Sequence, residues 1–188
     1  MFIETEPTPN PETLKFLPGR TVMEKGTLHI ERADAADGSP LAQALFGVSG
    51  VEGVFLGEDF VSVTKADSAD WDSLKADVLA AMMSFFASGA PVVHEGVVET
   101  GDTGGFDDDE ADSDIIVQIR QLLDEKVRPA VAQDGGDVVY HGFKEGVVYL
   151  KMQGACSGCP SSTATLQHGI ANLLKYYVPE VTDVRPVA

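Results

Sequence analysis

The sequence predicts an α+β protein made of two small mixed domains that are joined by an acidic, flexible linker. Three observations lead to this fold class. The chain has 188 residues, a length that allows one domain or two small ones. Its acidic residues are unevenly spread, and apolar residues alternate in some segments but recur at helical spacing in others.

Composition and charge exclude several classes of protein. A hydrophobic fraction of 44% with two cysteines is ordinary for a globular chain and rules out wholesale disorder or a disulfide-stapled miniprotein. The formal net charge is −17, and no basic face of the kind that binds nucleic acid is evident. An anionic membrane surface is disfavoured by the same sign of charge. We therefore expect a soluble, intracellular protein with neither nucleic acid nor a membrane as a partner.

The charge distribution locates the predicted boundaries. Residues 1–98 hold 15 acidic and 6 basic residues, residues 99–112 hold 7 acidic and none basic, and residues 113–188 hold 8 and 7. The middle stretch cannot bury enough apolar surface to offset the entropy lost on ordering, so it is predicted to be a flexible linker. The alternative is a cation site built from four adjacent carboxylates: Asp107, Asp108, Asp109 and Glu110. Calcium loops space their ligands around a glycine turn, which this run lacks.

The first domain is predicted to contain both strands and a helix. Phe2–Thr5 and Leu14–Phe16 are expected to be short strands on either side of a proline-rich turn. Val51–Leu56 and Phe60–Thr64 alternate across a turn that contains glycine, which predicts a hairpin. A helix is then predicted from apolar residues at helical spacing: Trp71, Leu74, Val78, Met82 and Phe85. Asp70 is placed to cap this helix, and the indole is expected to lie in the core.

The second domain is predicted to have the order α-β-β-α around one small sheet. Its first helix is expected to end near Pro129, and its strands to cover Val138–Phe143 and Val147–Met152. A second helix follows the cysteines, and the chain ends in a short apolar tail, Val181–Val187. Both helices are predicted from apolar faces: Ile115, Ile116, Ile119, Leu122, Leu123 and Val127 in the first, and Leu166, Ile170, Leu173, Leu174 and Tyr177 in the second.

The two cysteines form one Cys156-Ser-Gly-Cys159 motif between a predicted strand and a predicted helix. Two intervening residues let both sulfurs point toward one centre, as in zinc sites, iron–sulfur sites and redox dithiols. Pro160 suits the first helical position, which places Cys159 at or near the N-cap. The helix dipole there stabilises negative charge and so favours a thiolate.

Three interpretations of this motif remain open: unreactive thiols, a redox dithiol and a metal site. Structural zinc and cubane clusters both take about four protein ligands, whereas one chain supplies two thiolates. Histidine does not complete the set, because His168 lies about 13 Å of helix rise beyond Cys159. The other histidines are expected to be structural: His29, His94 and His141. A symmetric dimer that combines the cysteines of two subunits is the economical solution.

Two stretches of the chain resemble a known family. The first motif, Asp134-Gly-Gly-Asp137, together with Gly154-Ala-Cys-Ser-Gly-Cys-Pro-Ser-Ser162 and Pro179-Glu-Val181, resembles the NifU-like C-terminal domain of Nfu iron–sulfur scaffold and carrier proteins. The stretch Thr8-Pro-Asn-Pro-Glu-Thr-Leu-Lys-Phe-Leu-Pro-Gly19 resembles the Nfu N-terminal domain. Together the two resemblances cover nearly everything except the acidic linker.

The resemblance implies a cluster carrier that is not an enzyme. A [4Fe–4S] cluster would be ligated by Cys156 and Cys159 at the interface of a homodimer, loaded by an upstream donor and passed to apo iron–sulfur proteins. Asp134–Asp137 would have a structural role, with the glycines forming a tight turn and the aspartates capping amides. The N-terminal domain would recognise clients or modulate transfer. The implied location is bacterial cytoplasm, or the mitochondrial matrix for a processed eukaryotic form. The alternatives are a dithiol oxidoreductase and a zinc-bridged structural dimer.

Overall fold

The structure is a computed structural model that describes residues 2–96, 112–158 and 160–187. The chain divides into two compact units, Met1–Thr100 and Gly101–Ala188. Apart from Asp112, the predicted linker 99–112 lies outside the described residues, as do the four carboxylates of the alternative cation site. The linker and its boundaries therefore stay predictions.

In the described residues of the first unit, the strands form one antiparallel sheet of order β1-β2-β5-β4-β3. The strands are β1 (Glu4–Pro7), β2 (Thr13–Leu17), β3 (Leu28–Ile30), β4 (Val51–Leu56) and β5 (Val61–Lys65). The two predicted N-terminal strands are confirmed with bounds shifted by one or two residues, and the predicted hairpin is β4–β5. Strand β3, which no sequence pattern had indicated, pairs with β4 at the edge of the sheet.

Two α-helices pack on this sheet, α1 (Pro40–Phe46) and α2 (Trp71–Ser88), and a 3₁₀ helix over Ala33–Gly38 precedes α1. Helix α2 is the predicted one, and Asp70 caps it as predicted, because its carboxylate accepts a hydrogen bond from the amide of Asp72. Helix α1 was not predicted. The buried core between sheet and helices includes Phe16, Leu41, Leu45, Val63, Val78 and Met82.

Trp71 is half-buried against this core, so the expected core role is met in part. Its ring lies 6.3 Å from the ring of Phe16, centroid to centroid. The indole Nε1–H donates a hydrogen bond of 3.2 Å to the carbonyl of Pro11. The polar edge of the indole therefore fixes the turn between β1 and β2, while its apolar body covers the core.

The second unit begins with a helical stretch that is longer than predicted. Helix α3 (Ser113–Leu122) continues through a π-helical segment (Leu123–Val127) into α4 (Arg128–Gln133). The prediction that this helix ends near Pro129 was wrong. Because Pro129 falls in the first turn of α4, after the wider π turn, the helix tolerates its missing N–H.

The described strands of the second unit are β6 (Gly136–Lys144), β7 (Val147–Gly154) and β8 (Asp183–Val187). Strands β6 and β7 form the predicted antiparallel hairpin, and helix α5 (Pro160–Tyr177) follows as predicted. The apolar tail, for which no element was predicted, is β8 and pairs in parallel with β7. The α-β-β-α order and the α+β class are therefore confirmed, with one strand added.

The helices of the second unit and its sheet enclose a core that includes Ile119, Leu123, Val138, Val148, Leu150, Leu174 and Val184. Cys156 is part of this buried cluster, which brings the cysteine loop into direct packing contact with the core. No helix in the described part of the chain combines the length and the apolar character that crossing a membrane requires.

Candidate metal centre

The cysteine loop connects the end of β7 at Gly154 to the start of α5 at Pro160. The helix therefore begins where the sequence predicted. The structure describes the loop as far as Gly158; Cys159 lies outside the described residues. The geometry of the site is thus the geometry of Cys156 and of the elements that hold it.

Cys156 is 5% exposed and its sulfur rests against the first residue of β6. A Cβ placed on Gly136 would lie 2.8 Å from the Cys156 Sγ and 2.6 Å from the carbonyl oxygen of Gln153. Such distances are too short for real atoms, so any side chain at position 136 would force the sulfur or the backbone to move. The missing side chain at Gly136 therefore creates a slot against the start of β6, and the sulfur of Cys156 occupies this slot.

The turn before this slot supplies the second support of the loop. Gly135 has φ +79°, a left-handed conformation that glycine adopts without strain. Its carbonyl accepts a 3.2 Å hydrogen bond from the amide of Ala155, the residue before Cys156. The predicted tight turn at Asp134–Asp137 is therefore present, and it is joined directly to the cysteine loop.

The loop is closed on its other side by two hydroxyl groups. The Ser157 hydroxyl donates to the carbonyl of Gly154 at 2.8 Å, and the Ser157 amide donates to the same carbonyl at 3.1 Å. The Thr163 hydroxyl, on the first turn of α5, donates to the carbonyl of Cys156 at 3.0 Å. Cys156 is thus anchored to β6 through its side chain and to α5 through its backbone.

An ion pair lies next to the slot, between Arg128 at the start of α4 and Asp137 in β6. Arg128 Nε donates to Asp137 Oδ1 at 2.8 Å, and Nη2 donates to Oδ2 at 2.7 Å. Asp137 Oδ1 also accepts a 2.8 Å hydrogen bond from the amide of Val138, which is the amide-capping role expected of this aspartate. The hydrogen bonds that Arg128 donates to Asp137 raise the pKa of Arg128 above its ordinary value.

Burial raises the pKa of the Cys156 thiol to about 12, and the negative charges of Asp134 and Asp137 act in the same direction. The sequence had predicted that the start of α5 favours a thiolate, an argument that concerned Cys159. Cys156 lies in an environment of the opposite kind, buried and close to carboxylates. A metal that binds it must therefore displace its proton, as thiol coordination does.

The histidines occupy strand, loop and helix positions outside the cysteine loop. His29, in β3, packs its ring 5.9 Å from that of Phe55, and the amide of His94 donates to Gly38. His141 is half-buried at the bulge of β6, and His168 is exposed on α5. Within residues 2–96, 112–158 and 160–187, no three His, Cys, Asp or Glu side chains gather into a group that could hold a metal.

Sequence reasoning identified Cys156 and the Asp134–Asp137 turn but missed three residues of the site. Gly136 had been assigned only to a turn, Thr163 had not been singled out, and Arg128 stands nine residues before its partner. A Ser or Thr in the first turn of a helix that follows a cysteine loop is the one signal that could have indicated Thr163.

Both units of the chain match described protein families. Residues 3–89 match the family described as "Scaffold protein Nfu/NifU N terminal", and residues 119–185 match the family described as "NifU-like domain". The solution NMR structure of a NifU-like protein from Saccharomyces cerevisiae is similar with a TM-score of 0.46 and 27% identity, covering 50% of this chain and 86% of that one.

Curated relatives are similar over the whole chain. The "NFU1 iron-sulfur cluster scaffold homolog, mitochondrial" of Homo sapiens is 49% identical over all of this chain and 72% of its own length. The protein of the same name from Drosophila ananassae is 48% identical, and the chain spans 64% of its length. The resemblance inferred from the sequence is thereby confirmed, and the chain belongs to the Nfu family of iron–sulfur cluster scaffold proteins.

Proposed function

We propose that this protein binds a [4Fe–4S] cluster between two subunits through Cys156 and Cys159 and transfers it to apo iron–sulfur proteins. The proposal rests on the slot at Gly136, which holds Cys156 in the loop just before the start of α5. Membership of an iron–sulfur scaffold family indicates that the bound group is an iron–sulfur cluster. The protein is on this view a binding and transfer protein and not an enzyme.

The donor chemistry fits this cargo. Thiolates are the usual ligands of iron–sulfur clusters, and a cubane takes about four of them. The chain contains two cysteines, three residues apart. Two chains related by a two-fold axis would supply four thiolates with one shared geometry. The cluster would then be held by two ligands per chain, and it would lose its protein support when the subunits separate.

Transfer would proceed by ligand exchange without net oxidation or reduction. A thiolate of the client protein binds iron as the sulfur of Cys156 or Cys159 leaves, and the departing thiolate takes up a proton. The slot at Gly136 fixes the position of Cys156 for this exchange, because the sulfur rests against the first residue of β6.

Burial of Cys156 weighs against the dithiol oxidoreductase. A thiol that attacks a disulfide needs access and a low pKa, and Cys156 is enclosed by the core of its unit. The zinc-bridged dimer uses the same ligands and differs only in its cargo. Of the two predicted locations, the names of the relatives are compatible with the mitochondrial matrix and lend no support to a bacterial cytoplasm.

Anaerobic reconstitution with iron and sulfide tests the proposal. We expect about four iron atoms and four sulfides per two chains and a broad visible absorption band. Cys156→Ser and Cys159→Ser should each lose this complement, because one thiolate per chain remains. The control is His168→Ala, which removes an exposed histidine from α5 and should retain the cluster. Zinc without sulfide, or no metal with a reversible disulfide, would identify the two alternatives instead.

A second measurement tests transfer. Reconstituted protein is mixed with an apo-protein that needs a [4Fe–4S] cluster, and the activity or spectrum of that acceptor is followed. Iron chelator in the solution should not intercept the cluster if it passes directly between thiolates. Full interception by the chelator would contradict direct transfer while leaving cluster binding intact.

A further inference from the structure

We propose that Arg128 is a positioning residue for Cys156 and that it acts through Asp137. This inference rests on the proposed function, since it assigns a residue that prepares the same ligand for the cluster. Arg128 is the first residue of α4, and Asp137 follows the glycine against which the Cys156 sulfur rests. The ion pair therefore joins the helical half of the unit to the wall of the slot.

The contact is directional as well as electrostatic. Both oxygens of Asp137 are engaged by two different nitrogens of one guanidinium, at 2.8 and 2.7 Å, which fixes the plane of the carboxylate. The Asp137 side chain is 4% exposed and the Arg128 side chain 35%. A third nitrogen of Arg128 contacts Asp124 at 3.1 Å in the preceding helical turn. Asp124 thus fixes the guanidinium of Arg128 from the helix, and the guanidinium in turn fixes Asp137 in β6.

The pairing of β6 with β7 links the position of Asp137 to the position of the cysteine loop. Asp137 pairs with Gln153 and Gly136 pairs with Gly154, so the first residues of β6 face the last residues of β7. Ala155, the next residue, donates its amide to Gly135. A shift of Asp137 would therefore move both the wall that contacts Cys156 Sγ and the backbone that leads into Cys156.

Charge gives the ion pair a second effect on the same site. The carboxylate of Asp137 belongs to the residue that follows Gly136, against which the Cys156 sulfur rests. A thiolate-ligated cluster is anionic, so an unpaired carboxylate beside it would repel it. The guanidinium of Arg128 offsets that charge in a poorly solvated place, where the compensation is more effective than in water.

The test uses the full-length chain and three variants of the pair. Arg128→Gln removes the cation, Arg128→Lys keeps the charge without the fork, and Arg128→Gln/Asp137→Asn removes both charges. The matched control is Arg185→Gln, which breaks an exposed ion pair with Asp183 (3.2 Å) on β8 of the same unit. A second control, Val148→Ala, weakens the core of the unit without touching the pair.

Two readouts separate positioning from general stability. The first is the rate at which reconstituted protein loses iron to a chelator, together with its visible circular dichroism. The second is the rate at which iodoacetamide alkylates Cys156 in the cluster-free Cys159→Ser background, where it is the single thiol. Thermal unfolding of every variant is recorded, so that each rate can be compared at matched stability.

We expect Arg128→Gln to lose iron about tenfold faster than wild type and to change the circular dichroism, as the loss of a partner behind a metal ligand does. Alkylation of Cys156 should accelerate as well, because the slot loosens. Arg128→Lys should lie between Arg128→Gln and wild type, since lysine cannot engage both oxygens. The double variant should be less impaired than Arg128→Gln, because no unpaired buried carboxylate remains.

Unchanged iron loss and alkylation in Arg128→Gln would overturn the proposal, as would equal acceleration in Val148→Ala at the same loss of stability. If Arg128→Gln does not fold, Arg128→Lys decides the matter by the same two rates. If wild-type protein takes up no cluster, the proposed function fails, and the alkylation rates still test whether Arg128 positions Cys156.

Discussion

The sulfur of Cys156 occupies the space that a side chain on Gly136 would fill, with 2.8 Å separating Sγ from the position of a Cβ at residue 136. Twenty residues separate these two in the chain, and the pairing of β6 with β7 brings them together. The slot explains why a glycine is needed at position 136. The backbone there has no positive φ that would itself require glycine.

Gly136→Ala should therefore both destabilise the second unit and displace Cys156. Overpacking of this kind costs about 1–3 kcal/mol in the free energy of unfolding. Urea unfolding measures that cost, and the amount of iron retained after reconstitution measures the displacement of the ligand.

The matched control is Gly169→Ala, on α5, where an added Cβ would meet nothing within 4 Å. Alanine in place of a helical glycine is expected to stabilise the unit by up to about 1 kcal/mol. If both substitutions had the same effect, the cost at position 136 would not come from contact with Cys156.

Local patterns were sufficient to predict most of the elements. Alternation located the β4–β5 hairpin and β6–β7, and helical spacing located α2 and α5. Strand β8 was not predicted, because its partner β7 is distant in sequence and because Pro186 weakens its strand pattern. Proline is tolerated at this position because β8 is an edge strand. Helix α1 could have been predicted, because Ser39 caps it and Pro40 occupies its first position.

The sequence predicts two ligands for the candidate site but does not indicate the residues that support them. Two cysteines at a helix start are visible in the sequence, whereas the slot at Gly136 depends on a strand register. Arg128 was missed for a related reason. Its partner Asp137 lies beyond the end of α4 and a glycine turn, and the guanidinium reaches it only because the helix continues through Pro129.

Strand β8 yields a prediction about stability. Val184, the second residue of β8, is fully buried and packs into the core of the second unit. Val184→Ala removes two carbon atoms from that core and should lower the free energy of unfolding by about 2 kcal/mol. Val187→Ala, at a half-buried position of the same strand, should change it by less than about 0.5 kcal/mol. Equal effects would mean that β8 does not close the core.

The second unit should also fold and accept a cluster by itself. Its core is formed by residues between Ile116 and Val184, and both cysteines lie inside that range. A fragment of residues 112–188 should unfold cooperatively in urea and bind as much iron per chain as the full-length protein. Loss of cluster retention in the fragment would show that residues 1–111 contribute to binding. A fragment that ends at Thr182 should fail to fold, because it lacks β8.

Cluster content and dimerisation should be thermodynamically linked. If four thiolates from two chains hold one cluster, the cluster binds the dimer alone and shifts the monomer–dimer equilibrium toward it. Light scattering during reconstitution should show a species of twice the monomer mass that rises in proportion to bound iron, and removal of iron by a chelator should reverse the change. The Cys156→Ser variant serves as the control, since it should show no iron-dependent increase in mass. A monomer that carried a complete [4Fe–4S] cluster would refute the bridging arrangement and would require two ligands from outside the protein, for which a small thiol such as glutathione is the first candidate.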